Sequence, residues 1–209
     1  DGDGYWSDPA AGVHLGHLRL AIIDRSGGYQ PMWDAGETLG VVFNGEIYNH
    51  RELRAELEAA GHRFRSAGSD TEVLIHGWRE WGEGLFARLN GMFAFALYDR
   101  RAAELVLARD RFGEKPLYWH ARDGFVAFAS ELTALVAHPA VPRMPDRRAL
   151  AKYLAHGFFP APNTALRDVR KLPAGHFLRI PAAGRRDAIP DCYWRFAVRP
   201  DRALARRPV

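Results

Sequence analysis

The chain has a single cysteine, Cys192, among its 209 residues. One thiol cannot form an internal disulfide, which excludes an oxidised framework. No stretch of about 18 apolar residues occurs, and no charged-then-apolar leader opens the sequence, so no membrane span and no secretory signal is legible. Cytoplasm is then the default compartment. No repeat of fixed period is found, which argues against a solenoid. The first residue is Asp1 rather than Met, as expected of a processed chain or a fragment. Charge of one sign is not gathered either. The net charge is +4 and the isoelectric point about 9.5, yet the arginines are scattered among acids, and only residues 195–207 form a basic run. A nucleic-acid binder would concentrate them on one helix or stripe. With 47% hydrophobic and 26% charged residues, disorder of the whole chain is excluded. The length suits one domain plus a tail, with a sizeable core.

Residues 14–23 (HLGHLRLAII) read as a strand, broken by Gly27-Gly28. Residues 39–43 (LGVVF) form a short apolar run that ends at Asn44-Gly45, a turn dipeptide. Asn49 is placed to cap a helix from 50 to about 60, with Leu53 and Leu57 on one face and Gly61 as its stop. Ser69 followed by Glu72 fits a capping box, opening a helix with Leu74, Trp78 and Trp81 on one side. Residues 92–98 (MFAFALY) are apolar at every position, which predicts a strand covered on both faces. Further strands are predicted at 104–108, 116–120, 125–129 and 176–180, and short helices at 131–137 and 147–155. From Pro181 the pattern fades into Pro, Gly, Ala and Arg, which reads as a linker over 181–209 after a domain at 1–180. Strands this close together, without regular intervening helices, argue for an α+β layered sandwich and against a doubly wound parallel sheet.

Three blocks are dense in chemistry-bearing residues: Arg19, residues 44–49 (NGEIYN) and residues 69–72 (SDTE). A free amino acid needs an Arg for its carboxylate, since the planar guanidinium makes two parallel hydrogen bonds. Its ammonium needs a carboxylate, and Glu46 and Asp70 qualify. Amide hydrolysis needs donors aimed at the developing oxyanion. The Asn44 carboxamide and the Gly45 N–H could supply two, because glycine lets a ligand approach the backbone. Each block also has a plainer reading. Arg19 could be a surface arginine, Asn44-Gly45 only a turn, and Asp70 an acid at a helix N-terminus. Composition and spacing leave these alternatives open.

Taken together, eight ordered blocks resemble one family: residues 15–24 (LGHLRLAIID), 30–32 (QPM), 42–49 (VFNGEIYN), 69–73 (SDTEV), 91–99 (GMFAFALYD), 108–118 (ARDRFGEKPLY), 129–131 (ASE) and 172–176 (LPAGH). They are similar to the class II glutaminase domain of glutamine-hydrolysing asparagine synthetases, and the likeness runs over about residues 1–194. The resemblance implies a four-layer αββα sandwich of the N-terminal-nucleophile type. It implies that Arg19 holds the glutamine α-carboxylate, that Leu20, Ala21, Ile22 and Ile23 line the same pocket, that Asn44 and Gly45 form the oxyanion hole, and that Glu46 and Asp70 hold the α-ammonium. The family's nucleophile is a cysteine at the mature N-terminus, and no segment here matches it. Residues 1–6 (DGDGYW) resemble the segment just after the family's Arg-Gly-Pro motif, so the chain is expected to be incomplete at its start and inactive alone. Cys192, with no adjacent His and at the wrong end of the pattern, is not expected to replace that nucleophile. No metal or cofactor is expected in this segment. ATP and Mg²⁺ are expected in a further synthetase domain that would amidate aspartate, as an amido ligase, with glutamine as nitrogen donor and a homodimer open to it. The alternatives are a relative with another acceptor, or a glutamine-binding module without catalysis.

Overall fold

The computed structural model of the chain describes residues 2–19, 28–181 and 188–198, with only the backbone at Arg19. Two strands, β1 (Gly2–Asp8) and β2 (Val13–Arg19), form an antiparallel hairpin in which Gly4 lies opposite His17. Then come β3 (Met32–Trp33), β4 (Leu39–Ile47), α1 (His50–Ala59), α2 (Glu72–Trp81), a 3-10 turn at Gly82–Gly84 and α3 (Leu85–Arg88). The remainder is β5 (Gly91–Asp99), β6 (Glu104–Arg109), β7 (Tyr118–Arg122), β8 (Phe125–Ala129), α4 (Leu132–Val136), α5 (Arg147–His156), β9 (Val169–Lys171), β10 (His176–Pro181) and β11 (Asp191–Cys192). One six-stranded antiparallel sheet runs β11-β10-β6-β5-β4-β3, and a three-stranded one runs β8-β7-β9.

Period-2 alternation divides the large sheet's side chains between two cores. Val41, Phe43 and Ile47 of β4, with Phe93, Phe95 and Leu97 of β5, pack with Leu53 and Leu57 of α1 and Val73, Leu74 and Ile75 of α2. Their neighbours Val42, Ala94, Ala96 and Tyr98 face the other way, onto Leu15 of β2, Trp119 of β7 and Leu172. The three-stranded sheet turns its outer face, with Tyr118, Phe125 and Val169, toward α4 and Leu135. Helix, sheet, sheet and helix thus stack in four layers, the α+β sandwich expected. Residues 92–98 of β5 are apolar at every position because both faces of the strand are covered, as expected.

Several local expectations change. Asn44-Gly45 is not a turn: β4 runs on through both residues to Ile47, paired with Ala94 and Phe93 of β5. Nine residues of ladder outweigh a two-residue turn preference. Asn49 does sit at the N-terminus of α1 but makes no side-chain cap. Its carboxamide instead donates to Arg88 O at 3.0 Å and accepts from Asn90 N at 2.9 Å, bonding the start of α1 to the start of β5. The capping box at Ser69 and Glu72 does not form, since α2 begins at Glu72 itself and leaves no N3 position for it. The hairpin partner β1 had no strand signal of its own, being rich in Gly and Asp. The stretch expected to be strand as far as Ile23 is β2 to Arg19, and residues 20–23 lie outside the described residues. Past Pro181 the described segment is not free: β11 pairs with β10, and the Tyr193 hydroxyl donates to Arg109 O at 2.7 Å. Polar, Pro-rich sequence can still be pinned by one strand pair and one buried ring.

Candidate active site

The site is built along the edge of β4 that β3 leaves uncovered. Strand β3 reaches only Val41, opposite Met32. In the continuing register Pro31 would face Val42, and proline has no N–H to extend a ladder. From Phe43 to Ile47 the edge groups of β4 therefore find other partners. Phe43 N donates to Gln30 Oε1 at 2.6 Å, and Phe43 O accepts from His17 Nε2 at 3.0 Å. Ile47 N donates to Asp70 Oδ2 at 3.0 Å.

Between these lies Gly45. Its partner across the ladder, Phe93, spends both backbone groups on Asp110: Asp110 N donates to Phe93 O at 2.8 Å and Phe93 N to Asp110 Oδ2 at 3.2 Å. Gly45 and Phe93 are thus a non-hydrogen-bonded pair, and the Gly45 N–H points to the open edge. Among the described residues it has no protein acceptor there. Only glycine fits, because φ is +153° and a Cβ would stand 2.1 Å from Met92 O. The sequence placed these two residues at a strand end; they are in its interior, made accessible because the neighbouring strand stops short.

Asn44 and Glu46 are half-buried and project from the same face of β4 as Val42, toward the second sheet. Asp70 is 6% exposed. Burial pushes its carboxyl above the usual carboxylate range, the Ile47 N–H draws it back, and the charge of Glu46 pushes it up further. Two carboxyls that feel each other beside an open N–H and a carboxamide are suited to hold an ammonium and to stabilise a developing oxyanion. Asn44, Gly45 and Glu46 are consecutive on this edge, and Asp70 reaches it through Ile47 N. Arg19 is the last residue of β2, opposite Gly2; its side chain lies outside the described residues, and so do Leu20, Ala21, Ile22 and Ile23. His17, two residues earlier, bonds β2 to β4, so the strand that ends in Arg19 runs beside this edge.

Cys192 is exposed on β11, at the opposite edge of the six-stranded sheet. Four strand spacings separate it from β4, roughly 19 Å at about 4.8 Å each, which removes it from the chemistry at Gly45. A cavity of about 400 Å³ lined by Phe112, His176, Cys192, Trp194 and Phe196 lies at that far edge, away from these groups. Among the described residues no group of three His, Cys, Asp or Glu could hold a metal ion, and no helix is long and apolar enough to cross a membrane.

Sequence reasoning missed His17, Gln30 and Asp110 as supports of the site. Gln30 had one available signal, the adjoining proline that must end a ladder. Asp110 is fully buried. Its carboxylate accepts from Phe93, Phe112, Glu114 and Lys115 backbone N–H groups. Only the fold brings 110 beside 93.

A family model described as a glutamine amidotransferase domain matches residues 1–194. Two glutamine-hydrolyzing asparagine synthetases of Bacillus subtilis (strain 168), numbers 3 and 1, are 39% and 42% identical to the chain over 175 residues. They align to 82% and 84% of it, but over 28% and 27% of their own lengths. A putative asparagine synthetase [glutamine-hydrolyzing] of Mycobacterium tuberculosis (strain ATCC 25618 / H37Rv) is 41% identical over 192 residues, 87% of the chain and 29% of that protein. The chain therefore spans somewhat over a quarter of the length of these relatives. Among solved structures, a glutamine phosphoribosylpyrophosphate amidotransferase from B. subtilis superposes with a TM-score of 0.58 at 23% identity, over 87% of this chain and 35% of that one. At that identity the likeness speaks for the fold alone.

Proposed function

The chain belongs to the glutamine amidotransferase domain family, and on that premise we propose that it is the glutaminase part of a longer asparagine-synthetase-type enzyme, releasing ammonia from glutamine at the open edge of β4. The observation that carries this is the Gly45 N–H, held pointing out of the sheet beside Asn44, Glu46 and Asp70.

Glutamine lies along this edge with its α-carboxylate on Arg19 and its α-ammonium between Glu46 and Asp70. A thiolate attacks the side-chain amide carbon, and the carbonyl oxygen becomes an oxyanion that accepts from Gly45 N–H and the Asn44 carboxamide. The C–N bond breaks as the nitrogen takes a proton, ammonia leaves, and water hydrolyses the resulting thioester to glutamate. Donors fixed in a strand need no reorganisation as charge develops, which is where such sites gain most of their rate. The nucleophile is the cysteine that the family carries at its mature N-terminus. Its α-amine, with an ordinary pKa near 7.7–8.0, serves as base. The rest of the longer enzyme would supply ATP- and Mg²⁺-dependent activation of aspartate as the acceptor, in the cytoplasm.

The test is Asn44→Ala in the longer protein with its N-terminal cysteine in place. Glutamate release should fall by about 10²–10³ in kcat with KM for glutamine little changed. A loss carried by KM instead would refute the oxyanion role. A wild-type longer protein that releases no glutamate would sink the reading as a whole.

A further inference from the structure

The β4 edge owes its shape to a small cluster outside the substrate-contacting residues. Phe43 is the residue before Asn44 and two before Gly45. Where a neighbouring strand would satisfy its backbone, two side chains do so: Gln30 Oε1 takes the N–H at 2.6 Å and His17 Nε2 gives to the carbonyl at 3.0 Å. These two are themselves locked together through Gly4. Gly4 pairs with His17 in the hairpin, and a Cβ on it would stand 1.8 Å from Gln30 O, so the hairpin backbone lies directly on the Gln30 carbonyl. Beyond Gly45, Asp70 holds Ile47 N. The edge is thus pinned on both sides of the Gly45 N–H, which has no protein acceptor among the described residues.

We propose that His17 and Gln30 are positioning residues of the glutaminase reaction, which clasp Phe43 from both sides and so aim the Gly45 N–H and the Asn44 carboxamide at the oxyanion, with Gly4 as the seat that lets the clasp close. This rests on the hydrolytic reading above. Both side chains bond to the Phe43 backbone, one residue before Asn44. They act because an oxyanion donor must hold its direction closely to be worth its full contribution, and a strand edge with no partner strand has nothing else to hold it.

The experiment uses paired variants in the longer protein. Gln30→Met removes the acceptor and Gln30→Glu keeps an oxygen in its place; His17→Met removes the donor and His17→Gln keeps an N–H at similar reach. Both Met variants should lose about tenfold or more in glutaminase kcat, the scale of one hydrogen bond's net worth, with KM for glutamine within about twofold. The conservative variants, Gln30→Glu and His17→Gln, should keep most of the rate. A readout that needs no catalysis keeps the clasp testable if hydrolysis itself is absent: in this chain, Gln30→Met should speed hydrogen exchange of the Phe43 amide by about tenfold, while Leu57 in α1 is unchanged. Gly4→Ala should mimic Gln30→Met in both assays. Met variants with wild-type kcat would overturn the proposal. So would a loss that the conservative variants share in full, since that is what general destabilisation gives. Unchanged Phe43 exchange would overturn the clasp even if glutamine is hydrolysed.

Discussion

Glu72 offers the sharpest quantitative test of how the site is supported. It opens α2 and is 5% exposed. Its carboxylate accepts from Arg65 N at 2.7 Å, Ser66 N at 2.8 Å, the Ser66 hydroxyl at 2.5 Å and His76 Nε2 at 3.4 Å. Burial alone would raise its pKa. The bonds from His76, from the Ser66 hydroxyl and from the two amides outweigh that, and hold it at about 2 against 4.5 for a free glutamate. A carboxyl whose pKa is lower in the folded chain stabilises the fold above its unfolded value. That contribution is fully present above pH about 4.5 and is lost as pH falls toward 2. Two to three pKa units at about 1.4 kcal/mol each give roughly 3 kcal/mol, of which about 2 kcal/mol should be gone by about pH 3. Glu72→Gln imitates the protonated form, leaving one of the two amides without its ionised acceptor. Denaturant unfolding followed by tryptophan fluorescence should therefore find the variant about 3 kcal/mol less stable than wild type near pH 7, and the gap should shrink to about 1 kcal/mol near pH 3. A gap that stays the same at both pH values would refute the argument. The consequence reaches the site, because the segment that Glu72 anchors at 65 and 66 leads directly to Asp70 and its bond to Ile47 N.

Three further outcomes are expected. Arg19→Ala should weaken glutamine binding by about 2–5 kcal/mol, the usual cost of unpairing a buried charge, read by calorimetry on the longer protein; an unchanged affinity would return Arg19 to the surface. Gly45→Ala should destabilise the fold by several kcal/mol, because its Cβ would meet Met92 O at 2.1 Å at a φ that side chains avoid; a melting temperature within about 2 °C of wild type would contradict the strand geometry. Cys192→Ser should leave glutaminase turnover unchanged, since β11 and β4 are on opposite sides of the sheet's middle strands, and any large loss would reopen its role.

The sequence by itself determined most of the longer elements and the residue types they carry. Hydrophobic period placed β4, β5 and β6 and the buried faces of α1 and α2, because side-chain periodicity is a local property. The blocks around Asn44 and Asp70 named donor and acids of the right kind for a free amino acid, because residue chemistry is also local. Tertiary structure alone decided which backbone groups remain open. Whether Gly45 N–H meets a neighbour depends on β3 beginning only at Met32, opposite Val41, on Asp110 occupying Phe93 from the far side, and on Gln30, His17 and Asp70 filling the places beside it. Those three side chains stand 13, 26 and 23 residues away from the groups they hold, beyond the reach of any turn or cap rule. For the same reason Asn49 and Glu72 were expected to cap their own helices and instead bind the chain at 88, 90, 65 and 66. A side chain with two good options takes the partner that the packed core brings to it, and no local window contains that partner.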